Sequence, residues 1–178
     1  MIISKPVCTR HRYITTPRSR IRLRQIAEEL KSSINHPKHK EFPALWYMEF
    51  ELQKVYPNFD FEIETQESIG SGLYAFYDVI DHKLHIAQDV YDRASEGIPR
   101  DIFTVTHEIA HVVLLENSDI MMARTARYEA FRDPEWQANE LAAELLAPHD
   151  EIECMTVPEI IETYNVSSQV ARIQKNKK

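Results

Sequence analysis

Between Asp101 and Leu115 the chain spaces Phe103, Val105, Ile109, Val112, Val113 and Leu114 at helical intervals and sets two histidines and a glutamate among them. An apolar stripe this wide predicts a helix buried on most of its sides. Pro99 marks its start, because proline is tolerated in the first helical turn. The polar residues inside the stripe are His107, Glu108 and His111, in the order H-E-x-x-H. Polar groups in a buried helix must be satisfied, so the segment requires either a hydrogen-bond network or a metal ion.

The spacing favours an ion. Residues four apart differ by about 40° around a helix and about 6 Å along it. The imidazoles of His107 and His111 can therefore reach one ion at about 2.0–2.1 Å each. Glu108, turned by about 100° from His107, stands beside such an ion, where a carboxylate can take a proton from an attacking water and hand it to a leaving amine. Zinc suits this task because it keeps four-coordinate geometry with one position open and has no redox chemistry. The competing reading is a helix with two unrelated histidines and an exposed glutamate.

A catalytic zinc normally takes three protein ligands. Asp133-Pro134 predicts the start of a second helix running to Ala147, with Asp133 as cap. Its small and apolar stripe is Ala138, Ala142, Leu145 and Leu146, and extending it backwards by steps of three and four gives Asn139 and Glu135. Glu135 is thus expected as the third ligand, and Asn139 as the residue that orients a ligand histidine. Glu140 and Glu144 are expected to face water. Glu129, Asp119 and Glu116 are the other candidate acids, and His149 is a further residue near the helix end.

Elsewhere, helices are expected over Arg20–Ser33 and Phe42–Val55, each ended by a following proline. Phe59, Phe61 and Ile63 alternate with Asp60, Glu62 and Glu64, which predicts a strand. Leu73–Ile80 and Lys83–Val90 are further strands, joined at Asp81-His82. The expected fold is α+β and zincin-like, a small antiparallel three-stranded sheet packed on the zinc-binding helix, with helices before and after. Residues 1–19 are expected as a basic arm in solvent, and 20–178 as one domain: helices over 20–56, sheet over 59–90, zinc helices over 99–147 and closing helices over 158–175.

A net charge of -7 argues against nonspecific nucleic-acid binding. Cys8 and Cys154 are the two cysteines and make no metal-binding pair. No signal-like or membrane-spanning apolar run occurs, so a cytoplasmic location is expected.

His107-Glu-Ile-Ala-His111 followed by Glu135-Trp-Gln-Ala138-Asn139-Glu-Leu-Ala-Ala-Glu-Leu-Leu-Ala-Pro148 resembles the ImmA/IrrE metallopeptidase family, whose pattern is H-E-x-x-H and then E-x-x-A-N-x-F-A-x-x-L-L-x-P. The resemblance runs from about Gly72 to Pro148. Ala110 stands where glycine is usual, and Leu141 where phenylalanine is. It implies His107, His111 and Glu135 as zinc ligands, Glu108 as catalytic acid and base, and a gluzincin-like core. It further implies a protein substrate, a helix-turn-helix transcriptional repressor of a mobile element, prophage or stress response. Neither membrane nor sequence-specific nucleic-acid contact is expected. The other class of function considered is a regulatory protein that docks a repressor or antitoxin without cutting it.

Overall fold

The computed structural model describes residues 13–118, 121–122 and 129–177. Cys8, His11, Asp119 and most of the expected basic arm lie outside the described residues. The apolar stripe forms α6 (Pro99–Glu116), whose Val105, Ile109, Ala110 and Val112 are completely buried. Along it packs α7 (Pro134–Leu146), burying Ala138, Leu141, Ala142 and Leu145. Asp133 caps α7 by accepting a hydrogen bond from the Glu135 backbone N–H at 3.0 Å, which satisfies one of the donors a helix start leaves free.

Against α7 lies α1 (Arg20–Ser33), which places Leu23, Ile26 and Ala27 in the core. This contact overturns one expectation. Glu140 and Glu144 do not face water but are 8% and 4% exposed. Arg20 reaches Glu140 at 3.3 Å, Lys177 reaches it at 3.0 Å, and Arg24 reaches Glu144 at 3.2 Å. The second contact face of α7 is thus built from ion pairs, which hydrophobic periodicity does not register.

The sheet holds β2 (Asp60–Glu64), β3 (Ala75–Asp78) and β4 (Lys83–Ala87) in the order β2-β4-β3. β3 pairs antiparallel with β4, but β2 pairs parallel to β4, with Glu62 opposite His85. The expected all-antiparallel sheet is therefore corrected to a mixed one. Two successive reversals leave β2 and β4 pointing the same way, and inserting β4 between its predecessors makes them parallel neighbours. The connection from β2 to β3 permits this because it folds into α4 (Gln66–Ile69) and a turn at Gly70 and Gly72, both at positive φ. The last expected strand also ends early, at Ala87, where α5 (Gln88–Ser95) begins. Its Val90 and Ala94 are buried, so the helical period takes over where helix packing is available.

The second expected helix is three pieces in sequence: α2 (Ala44–Trp46), a π-helical stretch Tyr47–Glu51, and α3 (Leu52–Val55). After α7 come α8 (His149–Ile152), α9 (Val157–Tyr164) and α10 (Ser168–Asn176). A short antiparallel pair joins β1 (Tyr13–Ile14) to β5 (Met121–Met122). Among the described residues no helix is long and apolar enough to cross a membrane.

Two helix ends are closed by side chains from distant parts of the chain. Arg18 is only 8% exposed. Its guanidinium donates to the Leu114 and Asn117 carbonyls at 3.2 and 3.1 Å, to Ser118 Oγ at 2.8 Å and to Gln137 Oε1 at 2.9 Å. A cation there also meets the negative end of the α6 dipole. Gln174, fully buried on α10, donates to the Ala143 and Ala147 carbonyls at 3.1 and 2.7 Å and closes α7 in the same way.

Arg18→Ala leaves several buried acceptors unpaired, at about 1–3 kcal/mol each when water cannot reach them. It is expected to lower stability in urea titration by at least about 2 kcal/mol, with Arg18→Lys recovering less than half because an ammonium lacks the planar fork. Lys31 gives a pH-dependent counterpart. Burial pushes its amine down to about 8, against the smaller opposing pull of Glu151, Glu28 and Glu144. The native state then binds fewer protons than the unfolded state between pH 8 and the unfolded value of about 10.4, so this group makes stability rise with pH in that window. Lys31→Met is expected to be more stable than the parent near neutral pH, with the difference shrinking between about pH 8 and 10, as denaturation at stepped pH would show.

Candidate metal centre

The register of α6 puts His107 and His111 one turn apart on the side that meets the start of α7. Their Nε2 atoms lie 3.0 Å from each other. Glu135 Oε2 lies 3.4 Å from His107 Nε2, and Glu135 Oε1 lies 3.5 Å from His111 Nε2. Three donor groups thus converge, all within 4.8 Å of one another. Ligands at about 2.0–2.1 Å from a tetrahedral zinc sit about 3.3 Å apart, so the observed separations are close to those one such ion needs. The donor set, two imidazoles and one carboxylate, is one that zinc accepts.

Electrostatics also bind the three together. Burial pulls the His107 imidazole down, but the Glu135 carboxylate, with Glu108 and Asn139 adding to it, outweighs that pull and raises its pKa. The two imidazoles in turn hold the Glu135 carboxyl far below the usual range against the opposing effect of burial. Such a group attracts positive charge, proton or metal, to one point.

Asn139 occupies the next turn of α7 and acts on the proton affinity of His107. Among the described residues the buried His107 Nδ1 makes no hydrogen bond at ordinary distance, and that atom is where an orienting acceptor for a ligand histidine normally sits. Glu108 is 8% exposed and lines the same cleft as His107, His111 and Glu135.

The other candidate acids are placed elsewhere. Glu116 accepts from Tyr77 Oη and pairs with His82 Nδ1 at 2.6 Å. Glu129 faces Arg132 at 3.8 Å. His149 lines a separate cavity beside Lys31 and Glu144. His85 stacks on Phe76, with ring centroids 4.6 Å apart, and bonds Glu64.

Sequence reasoning did not find the opposite wall of the cleft. It is formed by 72–77, including Tyr74, Phe76 and Tyr77, which come from β3 and the turn before it. Among the described residues β3 is an edge strand of its sheet, so one row of its backbone groups has no partner strand there. The periodicity of this segment predicts a strand, but nothing local says which strand ends at the edge or what that edge faces. Arg100, from the first turn of α6, lies over the Tyr74 ring at 5.3 Å and ties the two walls together.

Comparison with protein families agrees with this arrangement. The profile of the IrrE N-terminal-like domain, a peptidase family, matches residues 94–173, which span α6 and α7 and the first part of α10. No curated protein matches the chain. The match takes in His107, Glu108, His111, Glu135 and Asn139, and it supports the resemblance of this part of the chain to the ImmA/IrrE metallopeptidases.

Proposed function

We propose that this protein is a zinc-dependent endopeptidase of the cytoplasm whose substrate is a regulatory protein, such as a helix-turn-helix repressor in a mobile element, prophage or stress response. The observation that carries the reading is the convergence of His107, His111 and Glu135 with Glu108 in the same cleft. A metal held only for structure has no use for a carboxylate at Glu108, whereas hydrolysis needs one.

Zinc, when bound, polarises the scissile carbonyl and makes water a stronger acid. His107 and His111 would hold the ion through their imidazoles, and Glu135 would offset part of its charge. Glu108 takes the proton of the attacking water on its carboxylate and delivers it to the amide nitrogen as the C–N bond breaks. The outer edge of β3, unpaired among the described residues, offers main-chain donors and acceptors to an extended peptide, which would hold the scissile bond over the cleft as an added strand. Such pairing accepts many sequences, so specificity must come from side-chain pockets. The choice of a repressor as substrate rests on the family resemblance alone.

Metal analysis is expected to find close to one zinc per chain in wild type and in Glu108→Gln, and little in Glu135→Ala. Full occupancy in Glu135→Ala would overturn the ligand assignment. Incubation with a candidate repressor, followed by mass spectrometry, is expected to show cleavage by wild type and a loss of about 10²–10⁴ in rate for Glu108→Gln, the range attributed to one acid–base group. Equal inactivation of the repressor by both, with no cut, would instead identify a docking protein.

A further inference from the structure

Residues of α1, the last turn of α7 and α8 border a cavity of about 650 Å³. Among the described residues it shares no wall with the metal cleft. Its walls hold nitrogen atoms that the chain leaves without acceptors. Lys31 is only 5% exposed, yet its amine makes no hydrogen bond or ion pair among the described residues. Burial depresses the pKa of this amine, and the fields of Glu151, Glu28 and Glu144 only partly oppose that. Arg24 gives its Nε to Glu144 at 3.2 Å, but its buried Nη2 has no partner, and neither has the buried His149 Nδ1. Arg24 and Lys31 are seven positions apart, about two turns, so they share one face of α1. The other oxygen of Glu144 accepts from the His149 backbone N–H at 3.0 Å, which fixes His149 beside Arg24. A buried cation with no acceptor is costly, so these groups call for an anionic group from outside the chain.

The acids around the cavity decide which anion is accepted. Glu144 is engaged by Arg24 and His149, Glu151 by the His39 backbone N–H and Tyr164 Oη, and Glu29 by Arg22. Glu28 and Asp150 also line the cavity, are exposed, and make no ion pair among the described residues. Glu28 precedes Lys31 by one turn on the same face of α1, so opposite charges stand near one another there without touching. Five carboxylates in the wall repel a multiply charged anion such as phosphate. A ligand that brings one carboxylate to Lys31 and one ammonium group to the free acids meets both needs and adds no net charge. Ile21, Ala27 and Pro148 offer apolar surface to the rest of such a molecule.

We propose that this cavity is a binding site for a free α-amino acid: Lys31 and Arg24 receive its carboxylate, and Glu28 and Asp150 receive its ammonium group. The site is separate from the proposed metal centre and does not depend on it.

The test is calorimetry on the full-length protein with L-leucine, with 4-methylpentanoate, which is leucine without its amino group, with 3-methylbutylamine, which is leucine without its carboxyl group, and with inorganic phosphate. Leucine is expected to bind at least tenfold more tightly than either fragment, and phosphate not to bind. Lys31→Met is expected to abolish leucine binding. It removes a buried unpaired charge, so the variant is expected to fold at least as well as wild type. Glu28→Gln combined with Asp150→Asn, both at exposed positions, is expected to bring leucine down to the affinity of 4-methylpentanoate. No binding of leucine by wild type would overturn the site. So would leucine binding that survives Lys31→Met, which would place the ligand elsewhere, at the metal residues for instance. Phosphate binding as tight as that of leucine would make this a plain anion site and overturn the ligand class, and so would equal affinity for leucine and 4-methylpentanoate. Zinc content measured on the same samples is expected to be unchanged by these substitutions, so failure of this site leaves the metal centre standing.

Discussion

The close packing of α6 on α7 is the constraint on which the remainder depends, because no ligand set exists on either helix alone. His107 and His111 offer two donors on one helix, and Glu135 reaches them only if the helices approach closely. Ala110, Ala138 and Ala142 are all fully buried, and small side chains at a helix contact permit a short interaxial distance. A metal site tolerates misplacement of only about 0.5 Å, so larger residues here would separate the donors before they unfolded the chain. The apolar residues that bury this contact also keep water from competing inside it.

The same two helices are held at their ends and outer faces by polar groups from far along the chain. Arg18 closes α6 and also binds Gln137 of α7, so one guanidinium ties the two helices. Gln174 closes α7 from α10. Arg20, Arg24 and Lys177 neutralise the acids on the outer face of α7. The basic character of the N-terminal region is therefore partly structural: its last arginines neutralise buried carboxylates and cap a helix. A buried carboxylate without such a partner would be strongly destabilising, which explains why the charges occur in matched sets.

Much of the site was legible before any coordinates. His107, Glu108 and His111 follow from spacing alone, because a helix is periodic and its period is known. Glu135 and Asn139 follow from extending the buried stripe of α7 by the same rule, and both stand beside His107. The rule failed for two acids on the same helix. Glu140 and Glu144 looked solvent-facing because they interrupt no apolar stripe, yet α1 covers them with arginines. Periodicity detects burial by hydrophobic residues and is blind to burial by ion pairs.

The sequence by itself determined the elements and the faces they present: the histidine-bearing helix, its partner, the capping residues and the alternation of β2. These depend on residues within a few positions of one another, where backbone geometry is set. Only the tertiary structure decided the order β2-β4-β3, the parallel pairing within it, and the placing of β3 across the cleft from His107 and Glu108. It likewise decided that α10 would line a cavity beside the metal residues. These outcomes depend on which elements lie side by side across tens of residues of chain, and that choice is made by total burial and charge matching over the whole domain.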